Sequence, residues 1–464
     1  MKQIGFILLL LCLTASGAAA QKVILSEDAV RDLVRLYHPA IGKAQLIPVQ
    51  AEAGKLEKRG AFDPVIYGSY ADKEYQSSSY YNLLDGGLKI PTWFGLSLKS
   101  GFEQNSGTYL NPENKVPGGG LIYAGATWTL GNGLLMDKRR AELKKADVYV
   151  RSSEAERDVL INQTMYEALS AYWTWVMHRH MYDVYLEAVQ LTERRFSAVK
   201  NSYRLGDIPA IDTLESFLQV QNRRLQLSEQ ALLIRQAEIE LNAFLWFADN
   251  RPLELSDSIL PPNLYSLSNG NRILPDTAML WSGIDGHPVL RGYNYKRDVL
   301  DIERKLGMEQ LKPTVDVSYN ALTEPVAGSA PVVSTQNYKW GLSVRYPILL
   351  RSSRGQLREN ESALKINALE QEQVRIKLHQ QALKSYNTVQ MTRDQVQQSR
   401  QLVNNYRALM LGEQQKFNGG ESSLFLVNSR EQNVINAQLK FIELAVKVKL
   451  SETEYYYRLA GLAG

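Results

Sequence analysis

Two tetrapeptides of the same pattern, His38-Pro39-Ala40-Ile41 and His287-Pro288-Val289-Leu290, stand in the two parts of this chain. The first proline of each is followed 25 residues later by another, Pro64 or Pro313. Ser-Tyr then recurs in register, at residues 69–70 and 318–319. Such a duplication predicts two copies of one structural repeat. We therefore expect a first repeat at residues 21–248, a second at 277–464, and a connector at 249–276, which is rich in Pro, Asn and Ser.

Each repeat is expected to end in two antiparallel helices. No proline interrupts residues 134–203 or 353–417, and glycines follow at Gly206 and Gly420. About 70 helical residues span roughly 105 Å, which is too long for a globular domain and indicates coiled-coil or helical-barrel packing. The last helix has a heptad seam, formed by Val434, Ala437, Phe441, Ala445, Val448, Tyr455 and Leu459, with Glu452 as its polar interruption.

The helix after Gly206 carries two apolar stripes, and two stripes allow one helix to pack on neighbours at both sides. An ordinary bundle with a wide apolar face is the alternative. One stripe is Leu214, Leu218, Leu225, Leu232 and Ile239, and the other is Phe217, Val220, Leu227, Ala231, Ile234, Leu241 and Leu245.

Between the helices of each repeat, apolar and polar residues alternate at about 62–130 and 313–347, as in Trp340-Gly341-Leu342-Ser343-Val344. This period predicts strands with one apolar face. A soluble sandwich would turn that face inward, whereas a membrane barrel would turn it to lipid. Aromatic residues cluster in these segments, as in the interfacial girdles of membrane barrels. The girdle candidates are Tyr67, Tyr70, Trp93, Trp128, Tyr338 and Trp340.

Composition and the N-terminus narrow the class of protein. The 53 Lys+Arg residues nearly balance 49 Asp+Glu, so a dedicated nucleic-acid binder is not indicated. The single cysteine, Cys12, excludes a disulfide framework. Residues 1–20 combine Met1-Lys2, an apolar run and Ala18-Ala19-Ala20, which predicts a cleavable secretory signal. The mature chain should therefore be exported, and either soluble or inserted as a β-barrel.

The number of strands predicts an oligomer. Each repeat supplies at least one hairpin, which gives about four strands per chain, whereas single-chain barrels begin at about eight. Three chains would close a barrel of twelve. The first repeat is longer than the second in its strand region, and residues 80–115 either add a hairpin or form an extracellular loop.

Several motifs, taken in order, resemble the TolC-type outer-membrane efflux family. They are Gly60-Ala61-Phe62-Asp63-Pro64, Tyr346-Pro347-Ile348-Leu349, the doubled His-Pro, and the stretch from Gly420 to Glu431. The resemblance implies an α+β membrane protein: a homotrimer with a single 12-strand transmembrane β-barrel in the outer membrane, continued by a long periplasmic α-helical coiled-coil barrel. It also implies a periplasmic adaptor and an inner-membrane transporter as partners, and passive conduction of small molecules. The alternatives are the duct of a type I protein secretion system and a soluble periplasmic coiled-coil scaffold.

In that family the turns between paired long helices form the periplasmic tip, which closes the tunnel and meets the adaptor. The corresponding residues are Gly206, Asp207, Gly420, Glu421, Ser422 and Leu424. Asp212 and Glu215 share one helix face and, by the same resemblance, are candidates for a cation-selective gate. A solvated helix face is the alternative, and Leu426 and Ser429 occupy the matching positions of the second repeat.

We expect no enzyme, metal or cofactor site. Neither Gly-x-Ser-x-Gly, His-Glu-x-x-His nor a phosphate loop occurs. His38 and His287 precede prolines, so helix breaks explain them better than metal ligation does. His178 and His180 are two residues apart and point to different faces of a helix.

Overall fold

The computed structural model describes residues 23–256, 258–267, 280–325 and 336–463. The predicted signal, residues 1–20, lies outside the described residues, as does part of the predicted connector. None of the described helices is long and apolar enough to cross a membrane.

Helices make up most of the described chain. Their bounds are α1 (Glu27–Tyr37), α2 (Pro39–Arg59), α3 (Lys138–Leu205), α4 (Ala210–Asn242), α5 (Leu264–Leu267), α6 (Leu280–Asp285), α7 (Pro288–Glu309), α8 (Arg351–Asn418) and α9 (Leu424–Arg458). The two long helices, α3 and α8, have 68 residues each. Their bounds agree with the stretches in which proline is absent, because proline would remove a backbone donor and clash with the preceding turn.

Within the described residues, the strands form two sheets. They are β1 (Val23–Ile24), β2 (Val65–Tyr75), β3 (Ser78–Pro91), β4 (Leu96–Ser106), β5 (Leu121–Gly131), β6 (Ile259–Leu260), β7 (Thr314–Thr323) and β8 (Tyr338–Arg345). β1 pairs in parallel with β6, inside the segment that we expected to be a connector. The other six form one antiparallel sheet in the order β2-β3-β4-β5-β7-β8.

The sheet therefore has six strands, two more than the minimum of four expected from one hairpin in each repeat. The additional hairpin is β3–β4, which occupies residues 78–106 and resolves the open question about residues 80–115. The strands expected from about residue 62 begin slightly later, because Gly60–Phe62 forms a turn of 3₁₀ helix and β2 starts at Val65.

The chain divides into two compact units, each drawn from both halves of the sequence. One comprises Leu46–Arg157 and Pro288–Val374 and contains the six-stranded sheet. The other comprises Met1–Gln45, Asp158–His287 and Arg375–Gly464, within the described residues. The second unit has an aromatic core around Tyr172, Trp173, Trp175 and Phe441, all of them fully or almost fully buried.

Heptad packing organises this helical unit. Six of the seven residues predicted for the seam of α9 are buried, and only Leu459 is half-buried. Glu452 is buried among them and is neutralised by Arg393 at 2.7 Å and Lys449 at 3.0 Å. On α8 a second seam alternates small polar residues with valine, in steps of 3 and 4. Its buried members are Ser385, Val389, Thr392, Val396, Ser399 and Val403.

The two predicted stripes of α4 have different environments. Val220, Ile234, Leu241 and Leu245 of one stripe are buried. The other stripe, from Leu214 to Ile239, is exposed, with about half or more of each residue accessible. A row of exposed leucines at heptad spacing is unusual on the surface of a soluble monomer and marks an interaction face.

Candidate functional site

One face of the six-stranded sheet is apolar and exposed. Cross-strand partners of an antiparallel sheet share a face, and the observed register puts all the large exposed apolar side chains of the strands, apart from Val65 and Tyr75 in β2, on the same side. Trp340 is 63 % exposed there and Ile66 is 85 % exposed. The face is formed by Ile66, Tyr70, Leu84, Leu88, Leu98, Trp128, Tyr319, Tyr338, Trp340, Leu342 and Val344.

Four of the six predicted girdle residues, Tyr70, Trp128, Tyr338 and Trp340, lie on this apolar face. The other two do not. Trp93 lies in the turn between β3 and β4, ahead of Gly95 at φ +88°, and is not part of a strand. Tyr67 lies on the opposite face. Both positions correct the prediction.

The opposite face of the sheet is polar and carries a bridge of two tyrosines. Tyr67, Gly87, Gly101 and Tyr123 are in register across β2, β3, β4 and β5. The two tyrosine side chains extend over the two glycines until their hydroxyl groups meet. A β-carbon on Gly101 would lie 2.5 Å from the Tyr123 hydroxyl oxygen. Only glycine in the middle strands therefore permits the bridge.

The charged residues Asp85 and Lys99 contact the two tyrosines of this bridge. The Tyr123 hydroxyl donates to Asp85 Oδ1 at 2.6 Å, so the Tyr67 hydroxyl donates to the Tyr123 oxygen. Lys99 Nζ lies 4.8 Å and 4.9 Å from the centres of the Tyr67 and Tyr123 rings and 3.9 Å from Asp85 Oδ2. The cation–π geometry stabilises the ammonium above both rings. This cluster was not predicted from the sequence, although glycines inside strands are a signal of close approach.

In the helical unit, the two turns that follow the long helices have the same geometry. Gly206 has φ +87° and Gly420 has φ +78°, both in the left-handed region that glycine tolerates best. The N–H groups of Asp207 and Glu421 donate to carbonyls five residues back, at 3.0 Å and 2.9 Å. This is the Schellman pattern, which satisfies the last carbonyls of a helix.

The predicted tip residues have different surroundings. Asp207 and Glu421 are exposed, whereas Leu424 is buried at the start of α9. The Ser422 hydroxyl donates to Glu413 Oε1 at 2.6 Å. This bond, together with Arg430, whose Nε lies 3.4 Å from the carboxylate, lowers the pKa of Glu413 below its usual range. The second turn is thus held by a charged contact across the helix pair.

The two gate candidates differ in what they contact. Asp212 lies in the first turn of α4, where the helix dipole stabilises a carboxylate. Glu215 accepts a hydrogen bond from Asn428 Nδ2 at 3.4 Å. Asn428 in turn accepts from Arg195 Nη1 at 2.9 Å, and the same guanidinium forms a close ion pair with Glu431. The structure therefore connects Glu215 to a polar network joining α3, α4 and α9.

This network contains buried charges that the sequence analysis did not identify. Glu431 and Arg223 are each only 4 % exposed. Burial lowers the pKa of Arg223, and the negative charge of Glu431 opposes that shift. Arg223 stands on α4 in heptad spacing with Ser216, Val220 and Gln230, all buried. A charged residue at a seam position, in heptad spacing with Val220, was the available signal, because such residues specify register and partner.

The histidines have structural environments. His38 ends α1, and its Nδ1 accepts from the Ala40 N–H at 3.1 Å while its ring stacks on Phe244. His178 contacts Gln230, and His180 Nε2 lies 2.9 Å from the carbonyl oxygen of Pro262. Burial lowers the pKa of all three histidines.

Comparison with known proteins gives both a family match and fold matches. The family model described as outer membrane efflux protein matches residues 295–457, from within α7 to the end of α9. No curated protein sequence is a significant match to the chain. Twenty-three solved chains match it in fold.

Three of these solved structures show how far the likeness extends. The open state of the MtrE outer membrane channel of Neisseria gonorrhoeae has a TM-score of 0.69 at 12 % identity, covering 97 % of this chain and 94 % of that one. The CmeC outer membrane channel of Campylobacter jejuni has a TM-score of 0.65 at 12 % identity, over 97 % and 90 %. For the outer membrane protein VceC of Vibrio cholerae the values are 0.65, 11 %, 94 % and 96 %.

The family match covers about a third of the chain, in its second half, and the fold likeness covers nearly all of it. At such low identity the solved structures establish fold alone. Together, the two findings confirm the predicted resemblance of this chain to the TolC-type outer-membrane efflux protein family.

Proposed function

We propose that this protein is the outer-membrane channel component of a tripartite efflux system. It conducts small molecules passively while a periplasmic adaptor and an inner-membrane pump supply selection and energy. The observation that carries the proposal is the exposed apolar face of the six-stranded sheet, with Trp128, Tyr338 and Trp340 at its surface. In water this face would be an aggregation liability, whereas lipid would cover it.

The proposal requires more than one chain. The two outer strands of the sheet, β2 and β8, present backbone groups that lipid cannot satisfy. The exposed heptad stripe of α4 is a second surface that a neighbouring chain would have to cover. α8 adds exposed Leu369, Ile376, Leu402 and Leu409. Copies of the chain packed side by side as a homotrimer would cover both helix faces and both edges, as a helical barrel and a closed β-barrel.

We further propose that the halves 21–248 and 277–464 are two copies of one structural repeat. Each half has a helix, strands, a 68-residue helix, a left-handed glycine turn and a second long helix, in that order. In a trimer the two kinds of turn would alternate around one end, giving six positions for adaptor contact. Asp207, Glu421 and Ser422 are the polar groups that these turns offer.

The gate follows from the same arrangement. Asp212 and Glu215 would each form a ring of three carboxylates, and the field of such a ring in a narrow pore favours cations. Glu215 is tied to α9 through Asn428, so a separation of α4 from α9 would break that contact and change the width of the ring.

Fractionation of cells that express the full chain tests the proposal. The protein should sediment with outer membranes and run as a species of three chains after mild detergent extraction. Recovery in the soluble periplasmic fraction would instead support a scaffold. A deletion strain separates the two kinds of duct: increased sensitivity to small toxic compounds supports efflux, whereas loss of secreted proteins supports type I secretion.

A further inference from the structure

We propose that the barrel of this protein has eighteen strands rather than twelve, and that β8 of one copy pairs with β2 of the next. The inference rests on the proposed trimeric channel and deepens it. Three copies of a six-stranded sheet give eighteen strands. The partner of each sheet edge is therefore a second copy of this chain, which pairs along β2 or β8.

The additional hairpin β3–β4 is an integral part of the sheet. β3 pairs with β4 without interruption from Asn82–Ser106 to Pro91–Ser97, and β4 continues the ladder to β5. The tyrosine bridge then holds the hairpin within the sheet from the polar face, because Tyr67 on β2 meets Tyr123 on β5 across both of its strands. An extracellular loop lying on the barrel surface would need neither a continuous ladder nor glycines beneath such a bridge.

The apolar face also extends across the hairpin. Leu84 and Leu88 of β3 and Leu98 of β4 are exposed on the same side as Trp128 and Trp340. Charged side chains of the hairpin, such as Asp85 and Lys99, lie on the polar side. Each of the six strands thus contributes exposed apolar side chains to the same face, as expected of a lipid-facing sheet.

The two edges of the sheet suit each other in direction. Every neighbouring pair among the six strands is antiparallel. An even number of alternating strands makes β2 and β8 run in opposite directions, so β8 of one copy meets β2 of the next in antiparallel orientation. A ring built this way leaves no edge strand.

The stagger of the strands matches a closed barrel as well. Following the pairings across the sheet, Val65 at the start of β2 is in register with Lys339, six residues before the end of β8 at Arg345. Six residues are about 20 Å along a strand, and six strands are about 29 Å wide. The ratio corresponds to a strand tilt of about 35°, within the range of closed barrels.

This stagger also predicts the register at the new seam. If the last residue of β8 lies level with the first residue of β2 in the next copy, Arg345 faces Val65 and Val344 faces Ile66. The stagger of six is even, so apolar residues of β8 meet apolar residues of β2. A stagger of five or seven would place Ile66 on the polar face, because a slip of one residue reverses every side chain.

The consequence for the channel is a wider barrel. Barrel diameter grows roughly linearly with strand number, so eighteen strands give a barrel about half as wide again as twelve. The open cross-section would be about twice as large. Barrels of 16–18 strands enclose an aqueous channel, so the outer-membrane segment would accommodate bulkier solutes.

Strand counting and cysteine cross-linking test the inference together. The strands should number eighteen in an electron-microscopy map of the full chain extracted from outer membranes. The pair Val344→Cys and Ile66→Cys should give, on oxidation, a covalent trimer by way of a dimer on denaturing gels. The pair Val344→Cys and Val65→Cys is the matched control, because Val65 points to the other face, and it should cross-link at least tenfold less. Cys12 is the only native cysteine, and each single variant should remain monomeric on the gel.

The outcomes separate this inference from the proposed function. A trimeric channel with twelve strands would overturn the eighteen-strand barrel and leave the channel intact. A map with eighteen strands but no cross-link between residues 66 and 344 would overturn the β8–β2 register. A soluble chain without covalent species would overturn the proposed function itself.

Discussion

Replacing Gly101 by alanine is expected to loosen the hairpin β3–β4 from the sheet. The new β-carbon would lie 2.5 Å from both the Gly86 carbonyl oxygen and the Tyr123 hydroxyl oxygen, and 2.7 Å from Tyr123 Cζ. Ordinary contacts begin at 3.4 Å, so the ring and the neighbouring strand would have to move by about 1 Å. Overpacking of this kind costs about 1–3 kcal/mol.

The displaced ring would also lose its hydrogen bonds. Tyr123 donates to Asp85 at 2.6 Å, and a hydrogen bond to a partly exposed group contributes about 1 kcal/mol. We therefore expect the local opening free energy of β4 to fall by about 3 kcal/mol, which corresponds to roughly a hundredfold in the opening equilibrium. Hydrogen exchange of peptides spanning residues 96–106, in purified protein in lipid, measures this quantity directly.

Gly68→Ala is the matched control. Gly68 lies in β2 of the same sheet, and a β-carbon there meets nothing within 4 Å. Exchange in this variant should stay within threefold of the wild type. Equal exchange rates for the Gly101→Ala and Gly68→Ala variants would refute the reasoning, because they would show that the tyrosine bridge does not restrict residue 101.

Three further predictions concern the helical unit. Asp212→Asn with Glu215→Gln should lower the cation-over-anion permeability ratio several-fold in planar bilayers, and an unchanged reversal potential would remove both from the gate. Glu431→Ala should lower the local opening free energy where α3 contacts α9 by about 3 kcal/mol, because Arg195 keeps a largely buried charge without its carboxylate partner. Hydrogen exchange measures this change, and exchange equal to that of the wild type would contradict it. Burial holds the pKa of His180 below its ordinary 6.5, so its neutral form contributes stability above pH 6.5 that is lost as pH falls towards the folded-state pKa. His180→Gln should remove part of the fall in melting temperature below pH 6.5, and an identical pH dependence in both proteins would exclude this contribution.

The long helices could be predicted from the sequence because their signal is local. A run without proline, bounded by Gly206 or Gly420, is visible without any tertiary information, and the observed ends agree within a few residues. The buried seam of α9 followed from its heptad spacing in the same way. Both features depend on neighbours within one or two turns of helix.

The sheet could be predicted only in part. β3 has adjacent apolar residues at Leu83-Leu84 and adjacent glycines at Gly86-Gly87, so its period-two signal is weak and the hairpin stayed ambiguous. β2 has apolar residues of both parities, and its pairing with β3 decides that Tyr70 belongs to the apolar face and Tyr67 to the polar one. Neither the sequence of β2 nor its composition contains that information.

The polar network of the helical unit was beyond sequence reasoning for another reason. Arg195 and Glu431 are 236 positions apart, and only the packing of α3 on α9 brings them together. A single sequence carries no local pattern that connects two such positions. Burial of both charges, visible only in the structure, identifies them as a pair.

The order of strands in the large sheet has a consequence for how the chain folds. β2 to β5 are consecutive in sequence, and so are β7 and β8, whereas β5 must find β7 across a long separation: Thr129 and Asp316, joined by a 2.7 Å hydrogen bond, are 187 positions apart. Pairing over such a separation is slow, because the entropy of loop closure must be lost before the contacts form. We therefore expect an intermediate in which only β2 to β5 are paired, with its apolar face uncovered, to persist until β7 pairs with β5. Pairing of β5 with β7 would then be the rate-limiting step of sheet formation. The four-stranded intermediate is the species that chaperones of the secretory route would have to bind.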